Sequence, residues 1–516
     1  MSHETTAGPG ADPGLLRLAD AILIPPFPGS SAPHWVLRAL DHGLGGVTLF
    51  GPNISAPEQV RSLTAALRTA AAQDPVIAID EEGGDVTRVA YAEGSSYPGN
   101  AALGAVDDVL LTRAVYQAIG GDLAALGVNL DLAPCADVLG AADSPVVGTR
   151  SFGADADLVS RHTAAAVAGL QNAGVAACAK HFPGHGRTGT DTHLTVATIE
   201  GSLDDLRRHD LPPFAAAIKA GTAAIMPGHL RVPELTGELP ATLSGAALTG
   251  LLRGELGFDG VIISDALEMR ATRDAFGIPG AAVLAVAAGT DLLCLGRDTG
   301  EDEYLAVRDA LAAGVRDGTL AESRLEEAAD RVARLRRGLA RDRRPLGSAG
   351  VADGRRVIIA DGDGIGLAAA RRAARVSGTL PALTSPVIIE IEPRENIAAG
   401  RFGWGLGPWA PAGSIRRVDV HRAGGPADLP EPDAAGEILA AAAGRPLVVV
   451  VRDAHRDPAV RSLVSTVLAA RPDAVLVEMG LPHWRPPEGT SYLVTYGASR
   501  ASAQAAAELL GLVRPG

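Results

Sequence analysis

The sequence predicts an α/β protein with a (β/α)8 TIM-like barrel followed by a smaller three-layer α/β sandwich domain. Three observations predict this fold. The chain is 516 residues long, short apolar runs alternate with Ala- and Leu-rich helical stretches, and polar side chains follow directly after several of these runs. A chain of this length exceeds the size at which one hydrophobic core keeps growing, so we expect at least two domains.

The first part of the chain contains eight candidate strands. They lie at residues 21–24, 46–50, 76–79, 129–133, 176–180, 223–226, 261–264 and 291–295. The clearest helices between them lie at 57–73, 107–126, 155–173 and 244–256. Strands that alternate with helices form right-handed βαβ units around a parallel sheet. Polar residues after several different strands favour a barrel, because an open sheet would gather its ligand groups at one switch point.

The predicted domain boundaries are a barrel domain at 15–340, a linker at 341–354 and a C-terminal α/β sandwich domain at 355–516. The linker sequence RDRRPLGSAGVADG is charged, then contains Gly, Pro and Ser, and it breaks the apolar periodicity. Beyond it, β-like runs at 357–360, 387–391, 446–451, 474–478 and 492–494 alternate again with helical stretches. This alternation predicts the smaller domain.

Composition and charge restrict the classes of partner. The chain is 47% hydrophobic and 21% charged, as is ordinary for a soluble globular protein. Its net charge of −14 would repel nucleic acid and anionic membranes, so we expect neither as a partner. The sequence gives no indication of the oligomeric state.

The cysteines and the N-terminal region indicate a reduced, cytoplasmic protein. Cys135, Cys178 and Cys294 are far apart, each lies in an apolar run, and they form neither a disulfide framework nor a Cys-x-x-Cys metal pair. We expect three buried structural thiols. The first fourteen residues do not resemble an export signal, and no apolar run is long enough to span a bilayer.

The densest polar cluster runs from Lys180 to His193 and reads KHFPGHGRTGTDTH. Three interpretations are open: exposed loop histidines, a metal site, or acid/base catalysis. The cluster lies on a Gly-rich loop and contains no helical His-x-x-x-His pair, which argues against a metal. Asp191 and His193 on an extended segment would point to the same side, so the carboxylate can orient the imidazole for proton transfer.

Two further groups of carboxylates follow predicted strands. Asp265, with Glu268 three residues later, follows the run Val-Ile-Ile-Ser. It is either a helix N-cap with a capping box or a nucleophilic carboxylate. The segment IDEEGG, which ends in two glycines and precedes Arg88, suits hydroxyl recognition on a sugar, divalent cation binding or a solvated turn.

Taken together, these motifs resemble glycoside hydrolase family 3, in its β-N-acetylglucosaminidase branch. The matching pieces are IDEEGG with Arg88, RSFG at 150–153, KHFPGHG-x-T-x-x-D-x-H and the strand that ends in SDALEM. The resemblance covers about residues 15–340. It implies a retaining, exo-acting enzyme that hydrolyses terminal β-linked N-acetylglucosamine through a covalent glycosyl-enzyme.

The resemblance also implies roles for individual residues. Asp265 is the nucleophile, and Asp191 with His193 is the acid/base pair. The implied carbohydrate-binding residues are Asp80, Arg88, Arg150, Lys180 and His181. No metal and no organic cofactor are expected, and the expected partner is a carbohydrate substrate.

Four positions depart from the pattern of the family. Glu81 stands where glutamine is common, Asp85 where arginine is common, Arg187 where aspartate is usual and Thr192 where serine is usual. Arg187 adds a cation to the loop of the acid/base pair. Because a histidine donor does not repel phosphate and Arg187 can attract it, a phosphorylase acting on β-N-acetylglucosaminides is the main alternative. A non-catalytic sugar-binding protein is the second. The physiological substrate stays open between a cell-wall fragment, a chitin oligosaccharide and another glycan.

Overall fold

The computed structural model describes residues 12–140, 144–189, 196–342, 362–393, 398–400, 402–420 and 434–513. The chain forms two compact units. Over the described residues, the first unit holds 12–81, 116–144 and 154–342, and the second holds 82–115, 145–153 and 362–513. Two segments of the N-terminal half thus group with the C-terminal part. The predicted boundaries at 340 and 355 stay a prediction, and residues 343–354 of the predicted linker lie outside the described residues.

All eight predicted strands are present in the first unit, shorter or longer by a few residues. In chain order, the strands of the described residues are β1 Leu23–Ile24, β2 Gly46–Leu49, β3 Val76–Ile79, β4 Leu130–Asp131, β5 Ala176–Phe182, β6 Ala197–Thr198, β7 Ala224–Pro227, β8 Leu230–Arg231, β9 Val261–Ile262, β10 Leu293–Cys294, β11 Arg375–Ser377, β12 Val387–Ile391, β13 Ile415–Val418, β14 Leu447–Val451, β15 Val475–Glu478 and β16 Ser491–Val494. The predicted eight correspond to β1 to β5, β7, β9 and β10.

The four helices singled out in the sequence are also confirmed. The α-helices of the described residues are α1 Pro13–Ala21, α2 His34–Asp41, α3 Pro57–Ala70, α4 Asn100–Val106, α5 Val109–Ala125, α6 Ala156–Asn172, α7 Leu203–His209, α8 Pro212–Lys219, α9 Pro233–Thr236, α10 Arg270–Ala288, α11 Glu301–Asp317, α12 Glu322–Asp342, α13 Gly362–Ala373, α14 Ala434–Ala441, α15 Pro458–Ala470 and α16 Arg500–Leu509. A π-type helix spans Ala246–Glu255, and 3₁₀ turns span Gly51–Asn53, Gly148–Arg150, Ala241–Leu243, Gly407–Trp409 and Ala454–Arg456. Side-chain caps fix several starts: Asp155 Oδ1, for example, accepts from Leu158 N at 2.7 Å where α6 begins.

The first unit is an α/β TIM-like domain. Its strands β2, β3, β4, β5, β7 and β9 form one parallel sheet in that order, and β1 pairs in parallel with β10. A parallel bridge between Ile263 and Leu292 links the end of β9 to the start of β10. In such a domain the carboxyl ends of the strands carry the active site, because the βα loops meet there.

The second unit is built on a six-stranded sheet in the order β11-β16-β15-β14-β12-β13. The five strands from β12 to β16 are parallel, and only β11 at the edge is antiparallel. Alternate residues of the strands face two separate apolar clusters. Val387, Ile389 and Val449 pack in one with α14 and α15, whereas Ile388 and Val448 pack in the other with α16. Both faces of this sheet are therefore covered, as is typical of parallel sheets.

Among the helices that the structure describes, none is both long enough and apolar enough to cross a membrane.

Candidate active site

Lys180 and Asp80 form a close ion pair at the carboxyl end of the sheet in the first unit. Asp80 directly follows β3, and Lys180 lies in the second half of β5. Lys180 Nζ donates to Asp80 Oδ1 at 2.6 Å, and the lysine side chain is only 2% exposed whereas the aspartate is 19% exposed. A buried ammonium requires such a partner, because desolvation penalises an isolated charge. The pair sets a donor beside an acceptor, which is the combination that binds vicinal hydroxyls.

His181 is oriented by Asp137, a residue for which no role was predicted. Asp137 Oδ2 lies 2.8 Å from His181 Nδ1, and Oδ1 accepts from the backbone amides of His181 at 3.2 Å and His185 at 2.6 Å. Burial alone would raise the pKa of Asp137, but the two histidines and these hydrogen bonds hold it below its ordinary value. The carboxylate is ionised and fixes both the ring of His181 and the loop that follows it.

A shift in strand register accompanies this arrangement. Lys180 of β5 pairs with Met226 of β7, but the next paired residue is Phe182, which lies opposite Pro227. His181 is thus left out of the ladder. Irregularities of this kind re-aim side chains and are common beside active sites.

Cys135, Asp137 and His181 are the one group among the described residues whose donor atoms are close enough to hold a metal ion. Their ligand atoms all lie within 4.8 Å of one another, and all three residues are buried. They also satisfy each other, because Cys135 Sγ donates to Asp137 Oδ2 at 3.1 Å. The group thus accounts for the orientation of His181 without an ion. The expectation that the enzyme uses no metal stays a prediction.

The three cysteines are free and buried, as predicted. Burial is the main cause that raises the pKa of the Cys178 thiol, and four charged side chains also act on it: Lys180, Asp80, Asp131 and Asp265. These four side chains lie in or after strands β3, β4, β5 and β9 of one sheet. Of the residues selected from the sequence, Lys180 and Asp80 are in direct contact.

Asp265 is half-buried and follows the strand–bridge segment 261–263. Its Oδ1 accepts from Ala266 N at 2.8 Å. The N-cap alternative is wrong, because the next helix, α10, begins only at Arg270 with Met269 at its cap. Glu268 is not part of a capping box either: its Oε2 accepts from Asp298 N at 2.7 Å in the loop after β10.

His229 fixes the backbone next to Asp265. It follows β7, is completely buried, and its Nε2 donates to the carbonyl of Ala266 at 3.0 Å. Its Nδ1 lies 3.0 Å from Thr242 Oγ1. Because the residue after Asp265 is held in this way, the carboxylate has a defined position at the end of β9.

Arg150 and Arg88, also selected from the sequence, lie in the second unit. Arg150 makes a bidentate ion pair with Glu82: Nη2 lies 2.7 Å from Oε1 and Nε lies 2.8 Å from Oε2. Both side chains are buried, at 6% and 2% exposure. Arg88 Nη2 donates to the carbonyl of Ala398 at 3.0 Å. A planar guanidinium matched to one carboxylate has a fixed orientation.

The proposed acid/base pair, Asp191 and His193, lies outside the described residues, as does Thr192. Arg187, in the same loop, is described. Its Nη2 lies 2.6 Å from Asp210 Oδ2 and its Nε donates to Oδ1 at 3.2 Å; the carboxylate is fully buried. The positive charge of Arg187 is thus matched by Asp210.

A family model, the glycosyl hydrolase family 3 N-terminal domain, matches residues 33–335. This range is more than half of the chain and contains every residue selected above. The chain belongs to glycoside hydrolase family 3. The resemblance derived from the sequence motifs is confirmed.

Relatives in the family carry hexosaminidase names. A β-hexosaminidase from Stenotrophomonas maltophilia (strain K279a) is 38% identical over 269 residues, which cover 51% of this chain and 79% of the relative. β-Hexosaminidase A from Pseudoalteromonas piscicida is 38% identical over 272 residues, or 49% of this chain. The chain spans only 45% of the length of that second relative.

A solved structure covers almost the whole chain. It is a glycoside hydrolase family 3 β-N-acetylglucosaminidase from Paenibacillus sp. str. FPU-7, with a TM-score of 0.84 and 30% identity. The match covers 97% of both chains. The likeness therefore extends through the C-terminal part, which the family model does not reach.

Sequence reasoning missed two residues at this end of the sheet, Asp131 and Asp137. Asp131 ends β4 and Asp137 lies in the loop after it, and their segment DLAPCAD gave a signal because polar side chains at the ends of barrel strands belong to the site. Asp131 is fully buried, its pKa is raised well above its ordinary value by burial, and its Oδ2 has no hydrogen-bond partner among the residues that the structure describes. The position of Asp131 at the end of a strand can be predicted from the sequence. Its contact with the amide of Glu81 cannot, because the two residues are far apart in the chain.

Proposed function

We propose that this family 3 protein is a retaining, exo-acting β-N-acetylglucosaminidase that removes terminal β-linked N-acetylglucosamine. The observation that carries the proposal is the match over 97% of both chains to a β-N-acetylglucosaminidase of the same family. Asp265 is the proposed nucleophile. Its half-buried carboxylate after the β9 segment supports this role, because the carboxyl ends of the strands carry the active site of such a domain.

Two balanced steps follow from these assignments. In the first, a carboxylate oxygen of Asp265 bonds to the anomeric carbon, the glycosidic C–O bond breaks, and His193 gives its proton to the leaving oxygen. In the second, water attacks the anomeric carbon, His193 takes the proton of the water, and the carboxylate of Asp265 leaves. Asp191 is proposed to orient His193.

The remaining assignments concern carbohydrate binding. Lys180 and Asp80 offer a charged donor and a charged acceptor to hydroxyl groups. His181 is proposed as a further hydrogen-bonding group, and its support is the fixed ring orientation that Asp137 imposes. Arg88 and Arg150 are proposed to bind the sugar as well, and the bidentate contact of Arg150 with Glu82 supports a preorganised guanidinium.

The proposal also includes the finer architecture. We propose that the eight strands of the first unit close into a complete (β/α)8 barrel. The pairing of β1 with β10, the Ile263–Leu292 bridge and the bond from Thr48 Oγ1 to the carbonyl of Ile24 at 3.1 Å support closure. For the second unit, apolar clusters on both faces of its sheet support a three-layer sandwich.

Phosphorolysis is the alternative reaction on the same fold, but no observation in the described residues favours it. The guanidinium of Arg187 is the cation that suggested a phosphate site, and it is engaged by the buried carboxylate of Asp210 through two nitrogens. An anion would have to displace this partner. A non-catalytic sugar-binding protein is disfavoured by the carboxylate at position 265.

The test is turnover of p-nitrophenyl β-N-acetylglucosaminide by the full chain, with and without sodium phosphate. We expect release of nitrophenolate without phosphate, and N-acetylglucosamine as the sugar product. The Asp265→Asn variant is the matched control and should be inactive. A rate that requires phosphate, with a sugar phosphate as product, would establish the phosphorylase. No turnover of β-N-acetylglucosaminides, with turnover of another β-glycoside, would overturn the substrate assignment.

A further inference from the structure

The C-terminal sheet has a topological switch point, and a segment of the same chain occupies it. After β12 the chain adds β13 on one side, then crosses over and adds β14, β15 and β16 on the other. In open α/β sheets, ligands bind in the crevice outside the carboxyl ends of the strands where the direction reverses. Here that crevice lies at the ends of β12 and β14, and residues 85–88 contact the loops that follow both strands.

Asp85 makes the central contacts of this segment. Its Oδ2 accepts from Arg452 Nη2 at 2.9 Å, directly after β14, and its Oδ1 accepts from Ala498 N at 2.9 Å, after β16. The side chains of Asp85 and Arg452 are 2% and 9% exposed. The guanidinium of Arg452 also lies 4.9 Å from the ring centre of Phe402. A buried carboxylate and a buried guanidinium thus compensate each other.

The same carboxylate holds a second loop. Thr149 Oγ1 donates to Asp85 Oδ2 at 2.6 Å. Thr149 is the residue before Arg150, whose guanidinium is paired with Glu82, three residues before Asp85. Arg456, in the loop after β14, donates to the carbonyl of Pro145 at 3.3 Å at the start of this loop. Both ends of loop 145–150 are therefore bonded to groups that the C-terminal sheet holds in place.

The backbone of residues 83–86 is specific to this arrangement. Gly83 and Val86 form an antiparallel bridge, and Gly83 and Gly84 have φ values of 72° and 62°. A Cβ atom on Gly84 would lie 2.7 Å from the Cα of Gly99, so that only glycine fits. Val86 is buried in the apolar cluster of the second unit. The turn presents Asp85 to Arg452 and at the same time places Glu82 beside Arg150.

We propose that Asp85 and Arg452 are positioning residues for carbohydrate binding, and that the C-terminal domain serves the reaction by fixing the loop that carries Arg150. The inference rests on the proposed sugar-binding role of Arg150. It gives the departure at position 85 a physical reason, because an arginine there would face the guanidinium of Arg452. At the switch-point crevice of the C-terminal sheet, residues 85–88 of the same chain contact the loops after β12 and β14.

The test combines kinetics with hydrogen exchange on the full chain. Asp85→Asn keeps the shape of the side chain but removes its charge. Thr149→Val removes only the hydroxyl group that donates to Asp85. We expect each to lower kcat/KM for p-nitrophenyl β-N-acetylglucosaminide, Asp85→Asn by about tenfold or more, mainly through a higher KM. Amide exchange in residues 145–153 should become faster in both variants. Arg471→Met is the matched control. Arg471 pairs with Asp473 just before β15, at the amino ends of the strands, whereas Asp85 contacts the loops at their carboxyl ends.

Two further variants separate positioning from general stability. If Asp85 acts through Arg150, the double variant Asp85→Asn, Arg150→Met should be no slower than Arg150→Met alone. Exchanging the charges, with Asp85→Arg and Arg452→Glu together, should recover part of the activity that Asp85→Arg alone loses. Additive losses, or unchanged exchange in 145–153 in Asp85→Asn, would overturn the proposal. Because exchange needs no substrate, it tests the contact even if the wild type fails to cleave β-N-acetylglucosaminides.

Discussion

Replacing Asp137 by asparagine removes a buried negative charge while keeping the shape of the side chain. Among the described residues, its two carboxylate oxygens accept hydrogen bonds from two sides: Oδ1 from the amides of His181 and His185, and Oδ2 from His181 Nδ1 and Cys135 Sγ. An asparagine offers one acceptor oxygen and one donor nitrogen. With the oxygen kept towards the amides, the nitrogen faces His181 Nδ1, which must then accept a hydrogen bond.

The consequence is a change of tautomer in His181. With the carboxylate, Nδ1 carries the proton; with the amide, the proton moves to Nε2. The enzyme also loses hydrogen bonds to a charged group, each of which contributes roughly 1.5–3 kcal/mol. If one such contribution is lost from the transition state, kcat/KM falls by about 10- to 150-fold. Asp137→Ala leaves the amides unsatisfied as well and should also lower the melting temperature.

The assay is kcat/KM with p-nitrophenyl β-N-acetylglucosaminide, together with thermal unfolding of each variant. Asp274→Asn is the control, because Asp274 makes only exposed ion pairs with Arg270 and Arg273. An Asp137→Asn variant that unfolds at a lower temperature but keeps the kcat/KM of the wild type would refute the reasoning. Asp137 would then stabilise the loop without setting the proton position on His181.

Four further predictions follow from the site and the core. Asp265→Asn should lower kcat by several orders of magnitude with little change in stability, and a fluorosugar inactivator should label Asp265; a label on Glu268 would contradict the assignment. His193→Ala should slow substrates with poor leaving groups much more than dinitrophenyl glycosides, whereas an equal loss for all would mean that His193 only binds the sugar. Chelation should leave turnover unchanged, because the buried thiol, imidazole and carboxylate already bond to one another; one essential metal ion per chain would contradict this. Burial raises the pKa of Asp20 to about 6 despite a hydrogen bond from Tyr304. A raised pKa in the folded state means that stability is lost as the pH rises through about 6, by roughly 3 kcal/mol. Asp20→Asn should remove this loss, which urea unfolding at pH 4 and pH 7 would show as a gain only at pH 7.

The strands of the first unit were predictable because each is a short apolar run that ends in polar residues. Val76–Ile79 followed by Asp80, and the Val-Ile-Ile-Ser run followed by Asp265, have this pattern, and both are buried parallel segments of the sheet. The observed strands are often shorter. β4, for example, is limited to Leu130–Asp131, because strand ends depend on pairing with neighbours and not on local sequence alone.

The grouping of segments 82–115 and 145–153 with the C-terminal part was not predictable in this way. The contacts that define it join residues far apart in the sequence: Asp85 and Arg452 are 367 positions apart. Periodicity describes one element at a time, so it contains no information on which distant charge lies opposite Asp85. The role of Asp137 was hidden for the same reason, since its partner His181 lies 44 positions later.

Two of the charged departures from the family pattern, Asp85 and Arg187, have the same physical explanation. Arg187 stands where an aspartate is usual, and the structure matches its charge with the buried carboxylate of Asp210. Asp85 stands where an arginine is common, and its charge is matched by the buried guanidinium of Arg452. A charge taken out of water without a partner would cost several kcal/mol, so such a residue persists only together with its partner. Each of these positions is therefore better understood together with its partner, Arg187 with Asp210 and Asp85 with Arg452. We therefore expect a change of charge at Asp85 to disturb the orientation of loop 145–150, and a change at Arg187 to disturb the loop that contains it. We expect a smaller direct effect on the chemistry of the sugar.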